Sequence, residues 1–207
     1  MSPMKSIYII RHGQTDYNLR GIVQGSGVNA PLNERGQQQA QAFYRHFKSV
    51  PFDKVYTSKL MRTYQSVQPF IDYTPHEAYE ELNEISWGDH EGKNVNYYDQ
   101  SVFSALTSSW KRGELDRALS NGESPNEVAA RQRRFVPVLQ ERLEEKNVLI
   151  CMHGRAMRVF LCVLLGLPLV EMDQFEHSNL CLYQLEMTQS RGFKVLKSNY
   201  TAHLEDR

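Results

Sequence analysis

The feature that most constrains this chain is a repeated unit. A short apolar run gives way to a small polar or histidine-bearing turn, and then to a stretch with helical periodicity. Ile7 to Ile10 is followed by Arg11-His12-Gly13, and Val148 to Met152 by His153-Gly154-Arg155. Val55 to Thr57 leads into Ser58, with Arg62 one helical turn further on. Strand then helix, repeated, predicts an α/β fold whose sheet is covered on both faces. Ligands of such sheets sit beyond the carboxyl ends of the strands, so the residues just past each run are read first for chemistry.

The helical stretches carry their own punctuation. Ala40, Phe43, Tyr44 and Phe47 recur at i, i+3, i+4 and i+7, with Asn33 placed as an N-cap and Glu34 in the first turn. Further helices are expected from about Lys59 to Phe70, from Asn126 to Glu145 and from Arg155 to Leu165. Pro137 should kink or split the second of these, and Gly166 with Pro168 should stop the third. Leu180 to Glu186 and Phe193 to Lys197 read as a closing strand pair. Lys93 to Glu123 has no clear place in the sheet and reads as a helical insertion over the site, within a single domain spanning 1–207.

Composition limits the partners. Lys plus Arg is 24 and Asp plus Glu is 24, so there is no cation excess to displace the counterions of an extended nucleic acid or to bind an anionic membrane. The apolar run Val159 to Val170 is broken by Gly166 and Pro168 and is too short to span a bilayer, and Ile7 to Ile10 is too short for a secretory h-region. Cys151, Cys162 and Cys181 lie in apolar stretches without a CxxC pair, which predicts reduced, buried thiols and a cytoplasmic protein. There is no GxxxxGK[ST], and Gly21, Gly25 and Gly27 do not form GxGxxG.

Three strand ends thus bring two histidines and several arginines towards one crevice. Each alone has a plainer reading: a lone histidine after a strand is usually a satisfied core or surface residue, and Arg62 alone is a solvated helix charge. Two strand-His-Gly units, each beside an arginine, resist that reading. Guanidinium matches the geometry of phosphate oxygens, and histidine can act as nucleophile or donor near neutral pH. A helix starting after His153 adds backbone donors and a positive dipole end. This is a site for a dianion, and phosphomonoester hydrolysis depends on such positioning and charge stabilisation. A leaving alkoxide needs a proton, and Glu84, after a third strand-like stretch, is the candidate acid; its plainer reading is a surface glutamate.

Ordered motifs then carry a resemblance over nearly the whole chain. They are IRHGQTDYN (Ile10 to Asn18), Gln24-Gly25, PLNERGQQQA (Pro31 to Ala40), TSKLMRTYQS (Thr57 to Ser66), LNEISWGDHEG (Leu82 to Gly92), GES (Gly122 to Ser124), Arg131 and MHGRAMR (Met152 to Arg158). The chain resembles the histidine phosphatase superfamily, in the branch that includes the cofactor-dependent phosphoglycerate mutases. The resemblance implies a three-layer α/β/α sandwich with a mixed, mostly parallel sheet. It also implies a phosphohistidine mechanism without metal or other cofactor, acting on a small phosphorylated metabolite. His12 would attack phosphorus while Arg11, Arg62, His153 and Asn18 hold its oxygens, and Glu84 would protonate the leaving oxygen and then activate water. Thr15, Gln24, Gly25, Gly154 and Arg155 are the further candidates for contact with phosphate or substrate.

Departures from the family pattern are Tyr17, Ser66, Asn121 and Arg155. Arg155 reads either as a contact to the phosphate or to a second acidic group, or as a helix-terminal charge facing solvent. Mutases of the family carry a proline-rich insert, and Lys93 to Glu123 holds no proline, which favours a phosphatase. The alternatives are mutase-type phosphoryl transfer and a non-catalytic phospholigand scaffold. A metal site built on Asp89, His90 and Glu91 has unsuitable spacing. Tyr97, Tyr98, Trp110, Lys111 and Arg112 are expected to help select the substrate.

Overall fold

A computed structural model describes residues 5–94 and 97–205, with the side chains of Tyr97 and Tyr98 outside the described set, so the expectation for those two is not addressed. A six-stranded sheet runs in the order β3-β2-β4-β1-β5-β6, built from β1 (Ser6–Arg11), β2 (Lys54–Thr57), β3 (His76–Ala78), β4 (Asn147–Met152), β5 (Leu182–Met187) and β6 (Phe193–Tyr200). The pairs β1·β4, β2·β4 and β2·β3 are parallel, whereas β5 runs antiparallel to both β1 and β6. The sheet is therefore mixed and mostly parallel, as the sequence implies.

Alternation along the strands sorts two cores. Ile7, Ile9, Val148 and Ile150 face one side, against Val128, Phe135 and Leu139 of α5 (Pro125–Glu141) and Met157, Phe160 and Leu164 of α6 (Gly154–Leu165). Tyr8, Ile10, Leu149 and Cys151 face the other, against Phe43 and Phe47 of α2 (Glu34–Phe47) and Val67 and Phe70 of α3 (Met61–Ile71). Every side chain named there is buried, so the sheet is closed on both faces and its chemistry is confined to one end. The Asn33 side chain caps α2 by accepting from the Gly36 amide. All three cysteines are buried and free.

Pro137 does not split the helix that holds it. The helix α5 runs through Pro137 to Glu141 without a break. The carbonyl that loses its amide partner is that of Arg133, four residues earlier, and both Arg133 and Pro137 are exposed, so water can serve that carbonyl. Among the described residues no helix is long and apolar enough to cross a membrane.

The segment expected to cover the site contains α4 (Tyr97–Lys111). Its Trp110 is fully buried, stacked on Trp87 at 6.1 Å between ring centroids, with its Nε1 donating to the Arg117 carbonyl. Trp110 is therefore core rather than a substrate contact. Arg112 is exposed and donates to Glu114, a carboxylate it shares with Arg117. Lys111 lies 3.7 Å from Asp173.

Candidate active site

Register delivers the site. Arg11 pairs with Met152 across the parallel β1·β4 ladder, so the next residue of each strand, His12 and His153, emerges side by side. Thr57 pairs with Cys151, which sets Ser58 beside them. The two imidazoles lie 5.1 Å apart between ring centroids and are both almost completely buried.

His12 is held with one ring nitrogen free to accept. Its Nδ1 lies 2.7 Å from the Gly13 carbonyl, an arrangement in which Nδ1–H donates and Nε2 keeps its lone pair. Burial, reinforced by the nearby charges of Arg62 and Arg11, pushes its pKa well below the ordinary imidazole range, so the ring is neutral at pH 7. Its backbone is fixed as well: the Asn179 side chain donates to the His12 carbonyl, and the Gly13 amide donates to Ser66 Oγ. Serine at this departure position thus still anchors the catalytic turn.

His153 has the opposite tautomer. Its Nδ1 accepts from Arg62 Nε at 3.2 Å, so the proton sits on Nε2, which donates to Ser58 Oγ at 2.8 Å. Ser58 Oγ also accepts from the Leu60 amide and passes its own proton to Thr63 Oγ1, which in turn donates to the Leu60 carbonyl. Burial first, then Arg62, His12 and Arg11, hold His153 neutral too.

Arg62 is fully buried and spends its donors on neutral groups: the carbonyls of Val28 and Gly25 and the His153 ring. Desolvation pulls its pKa down to about 10, which leaves it charged at neutral pH. Arg11 donates from Nη1 to His177 Nδ1 at 3.2 Å, while its Nε is buried with no partner. Among the described residues neither guanidinium has a carboxylate within ion-pair distance. Two cations with no carboxylate at ion-pair distance, offset only at longer range by Glu84 and, for Arg62, by Glu91, flank two neutral imidazoles, an arrangement that is costly unless an anion joins them.

Glu84 closes the other side. Its Oε1 accepts from the Ile85 and Ala156 amides and its Oε2 from the Arg155 amide, at 2.7–3.1 Å. The carboxylate thereby occupies part of the α6 N-terminus, and the first-turn amide left for another anion is that of Gly154. Arg131 fixes the Glu84 backbone by donating to the carbonyls of Glu81 and Glu84, and it is itself held by Glu123. This explains the GES and Arg131 motifs as supports for Glu84.

The remaining candidates divide. Thr15 caps α1 (Asp16–Arg20) in a reciprocal box with Asn18 and donates its hydroxyl proton to Gln24 Oε1. Asn18 Oδ1 accepts from the Thr15 amide and from Asn179 Nδ2, so its Nδ2 is the end available to an anion. Gly25 is required by space, since a Cβ there would lie 2.2 Å from Glu91 Oε1. Gly154 is required by the His177 ring, 2.7 Å from where a Cβ would stand. Arg155 follows neither reading offered for it: its guanidinium donates to Asp173 at 2.6 Å and lies 5.5 Å over the Trp110 ring. Arg158 and Lys111 also converge on that one carboxylate. Of the discounted metal triplet, Glu91 accepts from the Trp87 amide and Asp89 from Asn121, so these two carboxylates serve different loops. Asn121 itself has φ 59°, a backbone conformation closed to proline, which accounts for that departure.

Sequence reasoning missed His177 and Asn179. His177 orients Arg11, packs on Gly154, and is held neutral with its pKa down at about 3, by burial first and then by Arg11, Arg158 and Arg155. Two buried neutral histidines, His12 and His153, and the half-buried neutral His177 have a consequence for acid stability. Their folded pKa values lie below the unfolded value, so the unfolded chain binds more protons as the pH falls. Stability is complete above about pH 6.5 and falls below it, ahead of the range where carboxylates titrate. Urea midpoints measured between pH 7 and 5 should drop, and His177→Gln should flatten that slope; an unchanged slope would count against a neutral His177.

A model of the histidine phosphatase superfamily (branch 1) matches residues 7–201. The chain belongs to that family. This histidine phosphatase is 28% identical over 198 residues to the adenosylcobalamin/alpha-ribazole phosphatase of Escherichia coli, covering 93% of this chain and 95% of the relative. It is 30% identical over 172 residues to the 2,3-bisphosphoglycerate-dependent phosphoglycerate mutase of Bartonella tribocorum, covering 79% and 82% of the two chains. Among solved structures it superposes on Bacillus stearothermophilus YhfR with a TM-score of 0.85 at 26% identity, covering 97% and 99%.

Proposed function

We propose that this histidine phosphatase hydrolyses phosphomonoesters of small metabolites through a phosphohistidine at His12. The observation that carries the reading is the pair of guanidinium groups, Arg11 and Arg62, with no carboxylate at ion-pair distance among the described residues, beside a neutral His12 whose Nε2 is unprotonated. The phosphoryl oxygens lie on Arg11, Arg62, Asn18 Nδ2 and the Gly154 amide, and on His153 once its Nε2–H leaves Ser58 Oγ. In the first step the P–Nε2 bond forms as the P–O bond to the alcohol breaks, and Glu84 in its acid form gives its proton to the leaving oxygen. In the second, Glu84 takes a proton from water, the water oxygen attacks phosphorus, the P–N bond breaks, and inorganic phosphate leaves with His12 neutral again. The arginines act mainly by charge in a site closed to solvent, where each interaction is worth more than in water. The reading makes 1–207 one domain working in the cytoplasm on a small phosphate ester, with no cofactor and no nucleic-acid or membrane partner.

The similarity to a mutase favours a second reading, in which the phosphoryl group returns to a second hydroxyl of the substrate rather than to water. One experiment separates them. The protein is incubated with a panel of phosphate esters, and with 3-phosphoglycerate primed by 2,3-bisphosphoglycerate. Release of free phosphate and alcohol in equal amounts, faster than any isomerisation, is the expected outcome. Isomerisation outrunning phosphate release would transfer the assignment to the mutase, and inertness across the panel would leave a binding scaffold.

A further inference from the structure

One buried histidine takes no part in the reaction proposed above. His203 is fully buried, in a single 3-10 turn at Ala202–Leu204. Its ring packs among aromatic neighbours, 5.2 Å from Phe43, 5.6 Å from Phe47 and 5.7 Å from Tyr200 between centroids. An imidazole gives up its hydration to enter such a cluster, so phenylalanine would fill the place at less cost unless a ring nitrogen has work to do. It has: Nε2 lies 2.8 Å from the Leu180 carbonyl oxygen, which can only accept, so Nε2–H donates.

The backbone is strained at Leu180. Its φ is 58°, in the left-handed region that a bulky side chain rarely enters. Such a conformation persists only where its surroundings hold it. Here both polar groups of the residue are held: the amide donates to the Arg11 carbonyl at 3.0 Å, and the carbonyl accepts from His203. The side chain is buried too, with Cδ2 3.1 Å from where a Cβ on Gly13 would stand.

The preceding residue carries this strain into the site. Asn179 Nδ2 donates to the His12 carbonyl at 2.9 Å and to Asn18 Oδ1 at 3.3 Å. One carboxamide thus sets the main chain of the nucleophile and leaves Asn18 Nδ2 for the phosphoryl group. On the other side of Leu180 the chain enters β5 and is fixed in the sheet. Relaxation of Leu180 towards negative φ would therefore swing the part of the turn that bears Asn179, away from both acceptors.

We propose that His203 is a positioning residue for phosphoryl transfer: it holds the Leu180 carbonyl and so keeps Asn179 on His12 and Asn18. The inference rests on the phosphatase reading above. The test is steady-state hydrolysis of p-nitrophenyl phosphate, well below the thermal midpoint of each variant. His203→Phe keeps the aromatic packing and lacks the donor, whereas His203→Gln keeps an N–H at similar reach. Misplacing a reacting group by an ångström costs about 100-fold, so His203→Phe should lose about 10- to 100-fold in kcat. Inhibition by inorganic phosphate should weaken far less, because Arg62 keeps its hold on Val28, Gly25 and His153. His203→Gln should recover most of the loss. Asn179→Ala should lower kcat by a similar factor, and His203→Phe added to it should cost little more, since both act along one path.

Unchanged kcat in His203→Phe, equal losses in the Phe and Gln variants, or full additivity with Asn179→Ala would each overturn the positioning role and leave His203 as packing, while the phosphatase reading stands. Should His203→Phe fail to fold, His203→Asn takes its place: its carboxamide is too short to reach Leu180, and it should lose the activity that His203→Gln retains. Failure of the unaltered protein to hydrolyse any phosphate ester overturns the phosphatase reading and this role together.

Discussion

His12→Ala is expected to lower kcat for any phosphate ester by about three decades or more, because a nucleophile that acts as a unit with its supports leaves little activity when removed. The loss should fall on kcat rather than on binding. Arg11 and Arg62 keep their charges in the variant, and their positions depend on His177, Val28, Gly25 and His153 rather than on the His12 ring. Inorganic phosphate should therefore still bind and raise the thermal midpoint of the variant. A fall in phosphate binding as large as the fall in turnover would make His12 an electrostatic contact instead.

Glu84→Gln comes second in size. General acid catalysis contributes typically about 10²- to 10⁴-fold, and that range is the expected loss for an alkyl phosphate. The loss should shrink to about tenfold or less in the formation of the phosphoenzyme from p-nitrophenyl phosphate, whose leaving group needs no proton. The amide keeps an acceptor oxygen for the Ala156 or Arg155 N–H, so the α6 terminus stays capped and the fold should survive. Equal losses with both esters would show that Glu84 positions the helix rather than moving a proton.

Much of this architecture is legible in the sequence because the constraints are local. The strand runs, the Asn33 cap and the two His-Gly turns all rest on residues adjacent in the chain. Parallel pairing then does the rest, since the equal registers of β1 and β4 bring His12 and His153 together. What escaped depends on contacts distant in sequence. His177 precedes β5, which runs antiparallel to the other site strands, so its amino end lies where their carboxyl ends do. A search confined to carboxyl ends passes over it. Arg155 has the sequence context of a phosphate ligand, and only the fold of the Leu169–Gln174 turn brings Asp173 to it. Trp110 looks like a site aromatic until its packing on Trp87 is known. The charge balance is likewise refined: the chain is neutral overall, yet Arg11 and Arg62 stand in the pocket with no carboxylate at ion-pair distance among the described residues.

The most direct test of the central claim is the stereochemical course at phosphorus. A phosphorothioate ester made chiral at phosphorus with two oxygen isotopes is hydrolysed in water carrying the third, and the configuration of the released thiophosphate is determined. Two in-line displacements, first by His12 Nε2 and then by water, predict net retention. Inversion would mean a single displacement by water, and would contradict a phosphohistidine intermediate.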